Sequence, residues 1–445
     1  MSDFVAEINA AIALESPAIA AALSPLGQRA ALPDDVLSQS EEARGTTYNG
    51  TIGVITDGKG NALPLPSIAE VLSTLPDEDL NRTILYSKVL GIPEVREAWR
   101  RWQRRNVPES KVSSMPVATN GLSHGLSLCA DLFGGEGRVV AVPGPFWGNY
   151  RQIFGTRTGA RVVTAPSIRD GRFHCEVIED ALDGAGLADG EPAVAILHFP
   201  SNPGGYSLTA NERLQMRASL LRIANQRPLI VVCDDAYTGL VYEEDIPRAS
   251  LFWDLVGVHN NLIPLKVDGV TKEFSFFGGR VGFLTFPCAT DSALFDALES
   301  KLGSLIRSTV GSPVATSQMI LLQALRRSGV AGEVEVVRKT LEDRYRALRQ
   351  ALDAVDPALL RPHPFNSGCF ALVELPEALG LTSDAVRRHL LAKYDTGVVS
   401  LAPRYLRIAH CSVDQAQLPE LVRHLEAGVR ELAKISDAKI RYTLT

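Results

Sequence analysis

The sequence predicts an α/β protein: a large domain on a mostly parallel sheet flanked by helices, then a smaller α+β domain. Three observations lead there. Short β-branched runs recur between about residues 115 and 290, continuous in hydrophobicity and bounded by Gly, Pro or Asp, as in strands buried on both faces. Helical patterns fall between them, and that alternation implies crossovers and parallel pairing. After about residue 320 long amphipathic helices and short strands take over. A chain of 445 residues is also too long for one compact core, which agrees with more than one domain.

Taken in order, residues 1–65 are Ala- and Pro-rich and weakly periodic, and read as an arm plus a first segment of the small domain. Residues 66–315 read as the large domain and 316–445 as the small one. "PSIAEVL" opens a helix in which Ser67 and Glu70 have capping-box spacing. The expected strands are "RVVAV" from Arg138, "ARVVTAP" from Ala160, "AVAILHF" from Ala193, "PLIVVCD" from Pro228 and "RVGFLTF" from Arg280. Between them Leu122, Leu126, Cys129 and Phe133 share one helical face, and Thr209 with Glu212 makes a second capping box. In the last part "TLEDRYRALRQALDAV" and "QLPELVRHLEAGVRELAKI" are helices, with "GCFALVEL" and "YLRIAHCSV" as strands between them.

Composition removes several function classes. The net charge of −6 disfavours nucleic acid as a partner, which selects a basic surface. No two of the six cysteines form a C-x-x-C pair, so neither a metal site nor a redox pair is expected. Cys129, Cys233 and Cys411 lie in apolar runs and read as buried free thiols of a reducing cytoplasm. Asp3 and Glu7 precede the first basic residue, Arg29, the reverse of a secretory signal. Charges interrupt every long apolar run, so no membrane span is expected.

In open α/β sheets ligands bind at the carboxyl ends of strands. After Met115 comes "ATNGLSHGLSL", where Gly121 precedes a helix whose first N–H groups face outward. After "AVAILHF" comes "PSNPGGY", holding Asn202. Each also suits an ordinary turn. "VVCDDAYTGLVYEE" places Asp234 and Asp235 at the end of a buried strand, with Tyr237 close behind. A buried carboxylate needs a cationic partner, or else both aspartates reach solvent. "PGPFWGNYRQIF" carries Trp147, Asn149 and Tyr150 beyond another strand. "VDGVTKEFSFFGGRVGF" holds Lys272 and Arg280 eight residues apart, two cations that cannot neutralise each other. Something electrophilic or anionic is expected between them.

Together, in this order, these segments resemble the aspartate aminotransferase family of pyridoxal phosphate enzymes, fold type I, from about Gly53 to Cys411. The resemblance is nearest to the aspartate, tyrosine and aromatic aminotransferases. It implies that Lys272 holds the cofactor aldehyde as a Schiff base and that Arg280 pairs with its phosphate. A guanidinium nearby and a low-dielectric pocket would depress the lysine pKa, making it nucleophile and base. Asp234 would face the pyridine nitrogen, Tyr237 and Asn202 the phenolic oxygen, and Trp147 the ring face. Backbone N–H groups at Gly121, Leu122 and Ser123 would hold the phosphate, with Tyr86 reaching it from a partner subunit. Arg407 would grip the substrate α-carboxylate, a task for a planar fork, and Gly53 would close over the substrate. Arg307, in "KLGSLIRSTVGSP", would reach a partner subunit's site and pair with a side-chain carboxylate; the alternative is a structural arginine at the dimer interface.

Three positions depart from the family pattern: Gly269 stands where a phosphate-binding serine is common, leaving Thr271 as a candidate replacement; N-P-T-G reads Asn202-Pro203-Gly204-Gly205; and Tyr150 stands where the dicarboxylate subgroup often has histidine. The function implied is ping-pong transfer of an amino group between an amino acid, aspartate or aromatic, and a 2-oxo acid, in a homodimer with shared sites. A lyase or decarboxylase on the same fold is the alternative, because cofactor orientation decides which α-bond breaks. A regulatory effector-binding protein is the rival of another class; it would need a helix-turn-helix region, and residues 1–65 show no basic recognition helix.

Overall fold

The computed structural model describes residues 2–32, 36–401 and 403–443. Its strands, in chain order, are β1 (Tyr48–Asn49), β2 (Val117–Thr119), β3 (Val139–Gly144), β4 (Arg161–Pro166), β5 (Ile168–Arg169), β6 (Arg172–Phe173), β7 (Ala193–His198) and β8 (Leu229–Asp234), followed by β9 (Leu262–Gly269), β10 (Gly282–Thr285), β11 (Arg361–Pro362), β12 (Phe370–Glu374), β13 (Thr396–Gly397), β14 (Val399–Leu401) and β15 (Tyr405–Ala409).

Seven of them form the central sheet in the order β2-β10-β9-β8-β7-β3-β4. Pairing is parallel from β9 through β4, and β10 runs antiparallel to both of its neighbours. Every residue of β3 and β7 is buried, as their unbroken apolar runs predict. β4 ends the sheet, so most of its residues stay partly or fully exposed despite a similar composition. One central strand has no counterpart in the sequence reading. β9 reads "LIPLKVDG", and Pro264, Lys266 and Asp268 hide a strand that is nearly all buried.

The first 65 residues are more regular than their weak periodicity suggests. Helices Pro17–Ala22 and Pro25–Arg29 each start on a proline, with Ser16 and Ser24 capping them. A proline at the first helical position forfeits no intrahelical bond, so these prolines start helices and do not break them. The same logic displaces the capping box expected at Ser67. Helix Pro66–Ser73 starts two residues earlier than a Ser67 cap would set it, has Leu65 at its N-cap and no side-chain cap; the Ser67 amide donates instead to Glu333 Oε2 at 2.9 Å. The second capping box is present: Thr209 and Glu212 bond reciprocally at the start of helix Ala210–Ala224.

Farther on, β11, β12, β15 and β14 form a four-stranded antiparallel sheet. Helix Ser383–Tyr394 packs on β14 and β15, and helix Leu418–Thr443 packs on it and on helix Val330–Leu352. β1 pairs in parallel with β13, which ties the N-terminal stretch to this layer. One buried apolar cluster runs from Val95 and Trp99 through Phe283 to Phe370 and Leu406, so the two sheets share a core. They meet tightly at Gly205 (φ +68°), in the loop after β7, where a Cβ would collide with the Phe370 carbonyl oxygen of β12. That approach brings β12 and β15 over the carboxyl ends of β7 and β8.

Candidate active site

A cavity of about 360 Å³ lies at this junction. Asp234, the last residue of β8, and Lys272, three residues past β9, both line it. Tyr237, Trp147, Asn202 and Arg280 line it from the central sheet's loops, with Leu122 and Ser123 at the start of helix Leu122–Phe133. Arg407 enters from β15 and Gly53 from the N-terminal stretch. Three expected residues are not part of its lining: Gly121 sits just behind it against Arg280, Tyr86 is 98% exposed, and Arg307 is exposed near the end of helix Ala293–Thr309.

Each side chain is fixed by its neighbours. Asp234 Oδ2 accepts from the Tyr150 hydroxyl at 2.5 Å, and Oδ1 accepts from the Ala236 amide at 3.1 Å. Burial nevertheless pushes its carboxyl up to about 6, against the lowering effect of these two bonds. Lys272 Nζ donates to the Gly53 carbonyl at 3.4 Å and stands 4.5 Å from the Phe277 ring centroid. Burial lowers this ammonium below its ordinary value; Arg280 acts in the same direction and Asp234 against it. Arg407 stands over Phe370, 4.5 Å from the ring centroid, and donates to the Thr51 carbonyl at 2.7 Å and to Asn202 Oδ1 at 3.4 Å. Its Nε is buried with no hydrogen-bond partner.

The anion-facing end is built by close approach. Gly121 (φ +79°) precedes helix Leu122–Phe133, and a Cβ there would stand 2.7 Å from Arg280 Nη2. Arg280 itself takes φ +52°, a costly conformation for a non-glycine residue, and thereby brings its guanidinium to the helix start. Gly269 is equally constrained: a Cβ would meet the Val281 carbonyl oxygen at 2.5 Å and Gly282 Cα at 2.8 Å. A serine cannot stand there. Thr271, which lines the cavity, has a buried Oγ1 without a hydrogen-bond partner.

Residues 51–425 match the family described as aminotransferase class I and II. The chain belongs to the class I and II aminotransferases. Among relatives of this aminotransferase, the aspartate aminotransferase of Bacillus sp. strain YM-2 is 25% identical over 274 residues, 61% of this chain and 63% of that one. Aromatic-amino-acid aminotransferase 2 of Thermococcus litoralis is 22% identical over 390 residues, 86% of this chain and 93% of that one. An aminotransferase structure from Anaerococcus prevotii superposes with a TM-score of 0.76 at 20% identity, over 89% of this chain and 97% of that one, a likeness of fold.

The cofactor of this aminotransferase is pyridoxal 5′-phosphate, and the cavity fits it. A lysine whose ammonium burial disfavours, a carboxylate at the same end of the neighbouring strand, and a helix start beside a guanidinium supply a site for each polar part of the molecule. Thr271 Oγ1 adds a donor without a partner in the protein. Tyr150, His198 and Phe370 also line the cavity, with no role expected of them from the sequence. Tyr150 is legible as a polar aromatic three residues after Trp147, but its bond to Asp234 is not. His198, at the end of β7, is buried with both ring nitrogens lacking hydrogen-bond partners, and burial lowers its pKa to about 4, so it is neutral near pH 7. Phe370 arrives from β12, and no local signal announces it.

Proposed function

We propose that this protein moves an amino group between aspartate or an aromatic amino acid and a 2-oxo acid such as 2-oxoglutarate, by a ping-pong mechanism, with the roles assigned below. The observation that carries this is the convergence of Lys272, Asp234 and Arg407 on one cavity from β9, β8 and β15. When bound, the cofactor supplies an electrophilic aldehyde carbon and a ring that accepts the electron pair released at the substrate α-carbon. Lys272 Nζ, whose ammonium burial lowers below its ordinary value, anchors the cofactor and takes the α-proton. Asp234 holds its charge toward the ring nitrogen, with Tyr150 fixing the carboxylate and Tyr237 and Asn202 orienting the opposite edge. Gly121, Leu122, Ser123 and Arg280 bind the phosphate. Arg407, braced by Phe370 and Thr51, grips the α-carboxylate. Trp147 and Gly53 close the two faces.

The working unit is a homodimer. Ile84, Leu85, Tyr86, Val310 and Val314 are all exposed, and the Ser87 hydroxyl donates to the Pro313 carbonyl at 2.5 Å, joining the two segments into one apolar patch. Tyr86 on this patch would reach the partner's phosphate site, and Arg307, one turn before Val310, the partner's substrate. A cofactor domain over 66–315, a small domain over 316–445, and an arm with a first segment of the small domain over 1–65 complete the organisation. All six cysteines are free thiols, which supports a reducing cytoplasm. No described helix is long and apolar enough to cross a membrane.

Borohydride reduction followed by peptide mapping tests the site: the cofactor should be found on Lys272, and a label on another lysine overturns the assignment. kcat/KM for aspartate and for phenylalanine in Arg307→Ala tests the substrate class. A loss confined to aspartate, of a few kcal/mol as for a charged acceptor without its partner, supports dicarboxylate use. Equal losses make Arg307 a structural residue of the interface.

A further inference from the structure

Behind the sheet, on the side away from the cavity, a second charged cluster is buried. Lys266 of β9 stands 3.0 Å from Asp235 Oδ2 and closer still to Asp268 Oδ2, and none of the three side chains is more than 8% exposed. Asp268 also accepts from Trp99 Nε1 at 3.0 Å and from Gln103 Nε2 at 2.8 Å, which ties it to helix Pro93–Arg104. Register places Lys266 beside Cys233 and Val267 beside Asp234. Chain alternation then sends Asp234 to the cavity and Asp235 to the back. Burial opposes the Lys266 charge, yet the two carboxylates more than offset it and hold the ammonium above its ordinary range.

We infer that Lys266 is a positioning residue: it binds Asp235 and Asp268 into one compensated cluster, so that of the neighbouring carboxylates Asp234 alone presents its charge to the cavity. The inference rests on reading that cavity as the cofactor site. Its physical basis is proximity in a low-dielectric interior. Asp235 adjoins Asp234 and already pushes its carboxyl toward protonation. Without Lys266, two uncompensated carboxylates would lie behind the strand end and repel the charge that Asp234 must carry. The other groups acting on Asp234 are Tyr150, the Ala236 amide, Tyr237 and Lys272. Those acting on Lys272 are Arg280, Cys369, Cys411 and Asp234, and neutral His198 shares the cavity wall. None of these is altered by the variants below.

The test uses full-length protein loaded with pyridoxal phosphate and follows the bound cofactor's absorbance against pH, a reading that needs no turnover. Lys266→Met removes one positive charge from behind the sheet and should raise the midpoint by about half a unit or more. Asp235→Asn removes one negative charge and should lower it. Lys266→Met/Asp235→Asn restores the native net charge and should return the midpoint to the wild-type value. Should Lys266→Met fail to fold, the sign of the Asp235→Asn shift and its reversal in the double variant decide. Shifts of one sign in both single variants, an unmoved Asp235→Asn, or a double variant that keeps the Asp235→Asn shift overturn the inference and leave the site assignment standing. A wild-type protein that does not carry the cofactor on Lys272 overturns both.

Discussion

Asp234 and Asp235 are neighbours in sequence, equally buried at 5% exposure, and have opposite fates. Behind the sheet each charge of the Lys266 cluster has an opposite charge within 3.0 Å. In front, Asp234 is held by a phenol and an amide but pairs with no cation among the described residues, and Thr271 Oγ1, Arg407 Nε and both His198 nitrogens find no hydrogen-bond partner among them. Both sides are dry, so composition and burial do not separate them. What separates them is charge pairing. A buried charge with an opposite charge beside it holds the fold together; one held in place without such a partner costs stability, and a protein keeps that cost where a ligand repays it.

The largest expected effect lies at the front. Lys272→Ala should abolish multiple turnover, because anchoring and proton transfer share one nitrogen; steady-state assay with 2-oxoglutarate checks it, and residual turnover above a few per cent would detach Lys272 from the chemistry. Asp234→Asn should cost on the order of 10²-fold or more in kcat, or about 3 kcal/mol. The same substitution should stabilise the cofactor-free protein. The Asp234 carboxyl is raised from 3.8 to about 6, so its folded state favours the proton. That contribution to stability is complete below the unfolded value and is lost as pH rises through about 6. At neutral pH the ionised group costs about 3 kcal/mol, at about 1.4 kcal/mol per unit. Denaturant unfolding of the cofactor-free Asp234→Asn protein should therefore show a gain at pH 7 that fades by pH 4. A loss at pH 7 would mean that Asp234 belongs with the paired, structural side.

Arg407→Lys asks whether a front residue serves substrate or fold. The ammonium keeps the charge but cannot reproduce the fork that reaches Thr51 and Asn202. All substrates should weaken by similar factors, about tenfold to a hundredfold in kcat/KM, equivalent to one or two hydrogen bonds to a charged group. A defect confined to one substrate class would contradict the role in holding the shared α-carboxylate.

The sequence displays these two sides unequally. β3, β7 and β8 are plain in it because strands buried on both faces need unbroken apolar runs. β9 is not, because Lys266 and Asp268 look exposed until Asp235, just past the end of β8, pairs with the lysine. A tertiary ion cluster leaves no periodic trace. In the site, Lys272 with Arg280 and Asp234 with Tyr237 are legible because their spacings lie within single segments. Phe370 is not, since it meets the cavity only when the second sheet packs across Gly205; His198 ends a strand the sequence does show, but nothing in that segment marks it as part of the cavity wall. The capping boxes show the same limit on a small scale: Thr209 caps its helix, whereas Ser67 is carried inside the first turn by Pro66.

The smallest expected effect belongs to Thr271 and sharpens the comparison most, because it removes one atom's chemistry and almost no volume. Its hydroxyl is buried, unpaired and one residue from Lys272, while crowding at Gly269 forbids the serine that the family pattern commonly places there. If Thr271 is a front residue, Thr271→Val removes a donor that only the phosphate satisfies. Cofactor affinity should then fall about fivefold to tenfold, equivalent to about 1 kcal/mol for one hydrogen bond. The cofactor-free protein should be unchanged or slightly more stable, since an unsatisfied buried hydroxyl has been replaced by a methyl group. Fluorescence titration of the cofactor-free variant gives the first quantity and denaturant unfolding the second. Weaker cofactor binding with undiminished stability places Thr271 with Asp234 in front of the sheet. The reverse pattern, a destabilised protein that binds the cofactor normally, would show that the hydroxyl serves the fold and that the missing serine has no substitute.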